Sequence, residues 1–201
     1  MNIPGIDPDG PPASAAQLAA WATPLQTHLT ALRAGVPASL TGQVEVLAAA
    51  VRGAQGGKPV NTDDASLNAA LAAVNGWVHD FCGYTTLDVT DNGGVLTGVP
   101  STLPAGPMVL KFTNTGADAS KAGFILLLGK LHPDQSTTVA DVSAGKTDLG
   151  SVADIVTVAQ PTGSAPAYGL TTLRPGSYLL ASPTGQPPTF SGTLAAGFTV
   201  G

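Results

Sequence analysis

Two kinds of apolar spacing divide the chain. From Ser14 apolar residues recur every third or fourth position, and Leu18, Trp21, Leu25, Leu29 and Leu32 fall on one helical face. Pro24 lies inside that pattern and is expected to kink or split the helix, and Gly35 closes it. A second helix, with Pro37 near its first turn and Gly53 at its end, carries Leu40, Val44, Leu47 and Val51 at the same spacing. The stretch Gln55-Gly-Gly-Lys-Pro59 is linker. A third helix opens at Thr62 or Asp63, good N-cap residues, and carries Leu67, Leu71, Val74 and Val78, with Trp77 and Phe81 widening its face before Gly83. Three amphipathic helices with short connections predict a three-helix antiparallel bundle.

After Cys82-Gly83 the period falls to two. Thr86 to Thr90 alternates, and Asp91-Asn-Gly-Gly94 is a turn signal before Val95-Leu96. Pro104 to Pro107 turns into Met108–Thr113, and Phe124 to Leu131 is an apolar run expected to be a strand buried on both sides. Residues 132–151 are polar and irregular with a short helical turn. Ile155–Val158, Tyr168–Thr172, Ser177–Ala181 after Pro175-Gly176, and Leu194–Val200 complete a set of short strands. A long polar loop is expected over 182–193. The fold class is α+β: a Pro/Gly-rich segment at 1–13, a helical domain at 14–83 and a β-sandwich domain at 84–201.

Several of these stretches resemble the cupredoxins, the blue-copper β-sandwich family. The match runs through Val99-Pro-Ser-Thr-Leu-Pro-Ala-Gly106, Leu110-Lys-Phe-Thr-Asn-Thr-Gly116, Leu173-Arg-Pro-Gly-Ser-Tyr178, and the closing Pro188-Thr-Phe to Phe198-Thr-Val200. It is nearest to secreted bacterial members that begin with a Cys-Gly pair, here Cys82-Gly83. The resemblance implies a Greek-key sandwich. It also implies where copper ligands would stand: a His within Ala117-Asp-Ala-Ser-Lys-Ala-Gly123, a Cys at Ala181 or Ser182, a second His at Thr189 and a Met at Leu194. A blue-copper centre needs a thiolate, two imidazoles and a weak axial thioether. None occupies these positions, so no metal or other cofactor is expected.

Composition narrows the function classes. The chain is 43% hydrophobic and only 10% charged, with a net charge of −5. Eight basic residues scattered from Arg33 to Arg174 form no run that would neutralise a phosphate backbone, so no nucleic-acid partner is expected. No apolar stretch approaches the ~20 residues that span a bilayer. Low charge fits a secreted or surface protein, or a component of an assembled particle such as a viral coat, and protein partners or self-association are expected. The N-terminus lacks the basic and apolar regions of a signal peptide, so either none is made or a starting Met replaces one that was removed.

Other chemistry is thin. Asp7 and Asp9 read as a turn rather than a calcium loop. His79 and Cys82, three apart at a helix end, would need ligands from His28, His132 or Met108 to hold a metal; His79 reads as a helix-surface residue and His132 as a loop residue. Cys82, the lone cysteine, reads as a small apolar residue with no basic neighbour to activate it. Gly53-Ala-Gln-Gly-Gly-Lys58 is one residue short of a phosphate loop and is followed by Pro59. No Gly-x-Ser-x-Gly elbow occurs, and Asp63-Asp64 serves a helix start. The chain is therefore read as a non-enzymatic, metal-free binding or assembly protein. The alternative is a copper-binding or electron-transfer protein with unconventional ligands.

Overall fold

The computed structural model describes residue 4 and residues 11–116, 123–161, 165–186 and 189–201, the side chains at 186 and 189 excepted. The Asp7–Asp9 turn and residues 117–122 of the expected first His segment lie outside them. The chain divides into two compact units, Met1–Trp77 and Val78–Gly201.

In the first unit Ser14 caps helix α1 (Ala15–Ala22): its Oγ accepts from the Gln17 N–H while Gln17 Oε1 accepts from the Ser14 N–H at 2.8 Å. Pro24 has no N–H to continue the helical ladder, and a new helix, α2 (Leu25–Gly35), starts directly after it. Of the kink or split expected at Pro24, the structure has the split. A 3-10 turn at Ala38–Leu40 leads into α3 (Thr41–Gln55). Leu18, Ala22, Leu25, Leu29, Ala48, Val51 and Ala54, from α1, α2 and α3, make one apolar cluster.

Helix α4 (Ala65–Phe81) is capped by Asp64 rather than by Thr62 or Asp63, its Oδ1 accepting from the Ser66 and Leu67 N–H groups at 2.8 and 3.1 Å. It buries Leu67, Ala70, Val74 and Val78; Leu71, expected on that face, is 40% exposed and Ala70 takes its place. The expected three-helix bundle is thus replaced by four helices, with a shared cluster drawn from the first three.

The second unit is a two-sheet sandwich. One sheet has the order β2-β1-β4-β7, from β1 (Thr85–Asp91), β2 (Leu96–Thr97), β4 (Gly106–Asn114) and β7 (Ala167–Leu173). The other has the order β3-β9-β8-β5-β6, from β3 (Thr102–Leu103), β5 (Leu126–Leu131), β6 (Ala153–Ala159), β8 (Gly176–Gln186) and β9 (Thr189–Val200). Pairs β1·β4 and β3·β9 are parallel and the rest antiparallel. Alternation turns Leu87, Val89, Leu110 and Phe112 of the first sheet onto Leu126, Leu128, Leu180 and Phe198 of the second. Each such side chain contributes roughly 1.5–3 kcal/mol on leaving water. The short helices α5 (Val139–Ser143) and α6 (Leu149–Val152) form part of a smaller cluster with Leu179 and Ala181.

The Leu-Arg-Pro-Gly-Ser-Tyr stretch has a local physical cause. Tyr178, 2% exposed, accepts from the Arg174 N–H and donates to the Arg174 carbonyl, both at 2.9 Å, closing the turn that starts β8. Its ring stacks on Phe198 with centroids 5.3 Å apart.

The largest departure from expectation is at 182–193, read as a polar loop. β8 and β9 pair from Gly176↔Val200 to Gln186↔Thr189, so residues 182–186 and 189–193 are the outer half of a long hairpin, and residues 187–188 lie outside the described residues. Thr199 donates its N–H to Ser101, away from β8, which fixes the parity of the ladder. By that parity Pro183, opposite Thr193, owes no N–H to β9, and β5 begins too late to need it.

Candidate functional site

The positions that the resemblance assigns to ligands can be placed on this hairpin. Ala181 pairs with Ala195 and Leu127, and Ser182 pairs with Leu194. Successive strand residues face opposite ways, and the register is regular here. Ala181 packs into the outer cluster with Leu179 and Val142, whereas Ser182 and Leu194 share the inward face with Leu180. The structure therefore separates Ala181 from Leu194 and brings Ser182 to its side. Thr189 lies at the far end of the hairpin, opposite Gln186.

What fills this end of the sandwich is a hydrogen-bonded polar cluster. Asp91, fully buried, closes β1; its Oδ2 accepts from the Gly123 N–H at 2.6 Å and its Oδ1 from the Gly94 N–H at 3.0 Å. Its carbonyl accepts from the N–H and hydroxyl of Thr115. Asn114, paired with Asp91 across β1·β4, donates Nδ2–H to the Gly123 carbonyl at 2.8 Å and accepts from the Gly116 N–H. Ser182, also fully buried, donates to the Ile125 carbonyl at 2.7 Å, and Thr184 shares a 3.0 Å bond with Ser191. The Asn92-Gly-Gly94 turn brings its amides round to Asp91, with both glycines at positive φ. Every one of these side chains is partnered within the protein, so the cluster ties β1, β4, β8 and the 123–125 segment together. Beside it Phe124 stacks on the half-exposed Phe190 at 5.7 Å.

Sequence reasoning missed Asp91, which it treated as a turn residue. The signal was there: Leu87, Val89 and Asp91 share one strand parity, so the alternation that buries the first two also buries the carboxylate.

A second cluster lies on the outer face of the other sheet, at the end of α4. His79 was expected at a helix surface, yet its side chain is only 11% exposed. Nδ1 lies 2.7 Å from Asp80 Oδ1 and Nε2 lies 2.8 Å from Asp88 Oδ1. Burial draws its pKa down, but hydrogen bonds to Asp80 and Asp88 outweigh burial and hold it above the ordinary imidazole value. The Tyr168 ring is 5.7 Å away.

The remaining sequence candidates are scattered. Cys82 is a free, half-buried thiol; Met108 is in the sandwich core; His132 is half-exposed and faces Asp154 at 3.3 Å; His28 is exposed. Among the described residues no three His, Cys, Asp or Glu side chains gather as a metal site, and no helix is long and apolar enough to cross a membrane.

No family model matches the chain, and no curated protein does. Among solved structures it is similar to azurin from the obligate methylotroph Methylomonas sp. strain J, at 14% identity over 58% of this chain and 98% of that one, with a TM-score of 0.37. It is similar also to auracyanin B, at 15% identity over 58% of this chain and 88% of that one, with a TM-score of 0.36.

Proposed function

We propose that the chain is a non-enzymatic, metal-free, cupredoxin-like module that works by self-assembly at the cell surface or within a larger particle. Its contact is the outer edge of β9, which a second copy covers in antiparallel register. The observation that carries this reading is the direction of the β9 backbone. Thr199 and Gly201 donate outward to Ser101 and Leu103 of the β3 segment. The same parity aims the N–H and carbonyl groups of Thr193, Ala195 and Gly197 outward. Among the described residues the β3 ladder begins at the pair Thr102↔Thr199 and no strand continues it toward Thr193.

An open ladder calls for an extended backbone, and an antiparallel edge is complementary to itself about a two-fold axis. Natural edges are commonly guarded by Lys, Pro or inward charges. Residues 193–198 carry none, and no Asp, Glu, Lys or Arg occurs from Pro175 to Gly201, although the chain carries −5 overall. Two copies of like charge therefore meet at this edge without the repulsion they would meet elsewhere.

Size-exclusion chromatography with light scattering tests it. Wild-type protein is expected to dimerise or assemble further with rising concentration, and Thr193→Pro to shift that equilibrium to monomer. The variant removes only an outward N–H, so its circular dichroism should match wild type. A wild-type chain that stays monomeric at every concentration sinks the assembly reading. Undiminished assembly of a folded Thr193→Pro variant sinks the β9 edge and leaves assembly through another surface.

A further inference from the structure

We propose that His79 is a proton-operated latch: as an imidazolium it clamps the last turn of α4 to the outer face of the four-stranded sheet, and on losing its proton it lets that turn go. The warrant is stoichiometric. Both ring nitrogens lie within hydrogen-bond distance of carboxylate oxygens, at 2.7 Å from Asp80 and 2.8 Å from Asp88. An ionised carboxylate only accepts, and a neutral imidazole carries one N–H. Whichever tautomer is drawn, a neutral His79 sets one nitrogen lone pair against a carboxylate oxygen. Only the imidazolium donates to both.

The surroundings point the same way. His79 is the basic residue of the last turn of α4, where the helix dipole favours a cation. Asp88, Lys111 and Tyr168 stand in one cross-strand row over β1, β4 and β7. Asp88 attracts the cation, the Tyr168 ring at 5.7 Å is within cation–π range, and Lys111 opposes it. The charged and titratable groups facing His79 are thus Asp80 on its own helix and Asp88, Lys111 and Tyr168 on the sheet. Two carboxylates against one ammonium leave the site anionic, which suits a bound proton.

The latch secures the stretch by which α4 passes into β1. Because the folded pKa is raised, its stabilisation is fully present below the unfolded imidazole value and is lost as pH rises through the folded one. The device therefore closes toward acid and opens toward alkali.

Nitrogen chemical shifts of the histidine rings of the full chain, followed over pH, test this; His79→Gln assigns the resonance against His28 and His132. Both His79 nitrogens are expected to stand at imidazolium shifts in acid and to leave them together at a midpoint above the ordinary imidazole value. Amide exchange over 78–82 should accelerate through the same midpoint. Asp88→Asn, an exposed substitution, should lower that midpoint and remove the pH dependence of exchange. A His79 midpoint at or below the ordinary imidazole value overturns the proposal, and so does amide exchange that ignores its titration. Should Asp88→Asn not fold, the wild-type titration and exchange profile decide by themselves.

Discussion

Gly123 and Ser182 depend on one another. A Cβ at residue 123 would overlap Ser182 Oγ and stand 3.0 Å from its Cβ, while Ser182 Oγ is held by the Ile125 carbonyl. Gly123→Ala must therefore displace a hydroxyl that is already committed, and overpacking of this kind costs about 1–3 kcal/mol. Ser182→Ala alone forfeits a buried hydrogen bond worth about 1 kcal/mol. In the double variant the alanine methyl at 123 enters space the hydroxyl has left, so the combined loss in urea unfolding should be smaller than the sum of the two. Strict additivity would mean that the two residues do not contend for one space. Asp91→Ala strips the buried Gly123 N–H of its acceptor and is expected to cost about 1–3 kcal/mol in the same assay. This chain holds together by hydrogen bonding the sandwich end where the resemblance expects a copper thiolate.

At the scale of elements, what was legible tracks how local its cause is. The helical faces of α1 and α2, the Asp91-Asn-Gly-Gly94 turn and the Pro175-Gly176 start of β8 follow from spacing and backbone chemistry within a few residues. On α3 Leu40 falls in the preceding 3-10 turn, Ala48 is buried where Leu47 was expected, and the helix runs past Gly53 to Gln55. The face of α4 was read one residue off, because Ala70 and Leu71 both satisfy the spacing and only packing chooses between them. The outer half of the β8–β9 hairpin was not legible. Pro183, Gly185 and Gly192 signal a loop locally, and only pairing across the hairpin shows that Pro183 falls where no N–H is needed. The cap of α4 was legible in kind but not in position, because Thr62, Asp63 and Asp64 are all good caps. Hydrogen bonds from the Ser66 hydroxyl and the Leu67 and Ser66 amides hold the Asp64 carboxyl below its usual range. Its lowered pKa means that the cap stabilises α4 above the unfolded carboxyl value and is lost as pH falls through the folded one. Asp64→Ala should fray the first turn, seen as faster amide exchange at Ser66 and Leu67. Asp63→Ala should leave those amides protected, and equal fraying in both variants would refute the assignment.

At the scale of the sandwich, the arrangement of strands argues against a copper centre more strongly than the missing ligands do alone. β1 runs from Thr85 to Asp91, about 20 Å along the strand, and Cys82 precedes its first residue, so it lies toward the end of β1 opposite Asp91. Met108 pairs with Thr85, and His132 follows β5 at the end opposite Leu126, so both lie toward the Cys82 end as well. His79 has both ring nitrogens engaged by carboxylates. Among the described residues of this unit, every thiol, thioether and imidazole is thus remote from Ser182 and Leu194 or already occupied. A thiolate–copper centre there would need Cys82 to cross the length of a paired strand. Adding Cu(II) to the reduced protein is therefore expected to produce no intense thiolate-to-copper absorption in the visible. Any weak binding should survive Ala substitution at Ser182 and Leu194. A strong visible band that disappears in Cys82→Ser would instead establish a copper site at the start of β1, and the metal-free reading of this sandwich would fall with it.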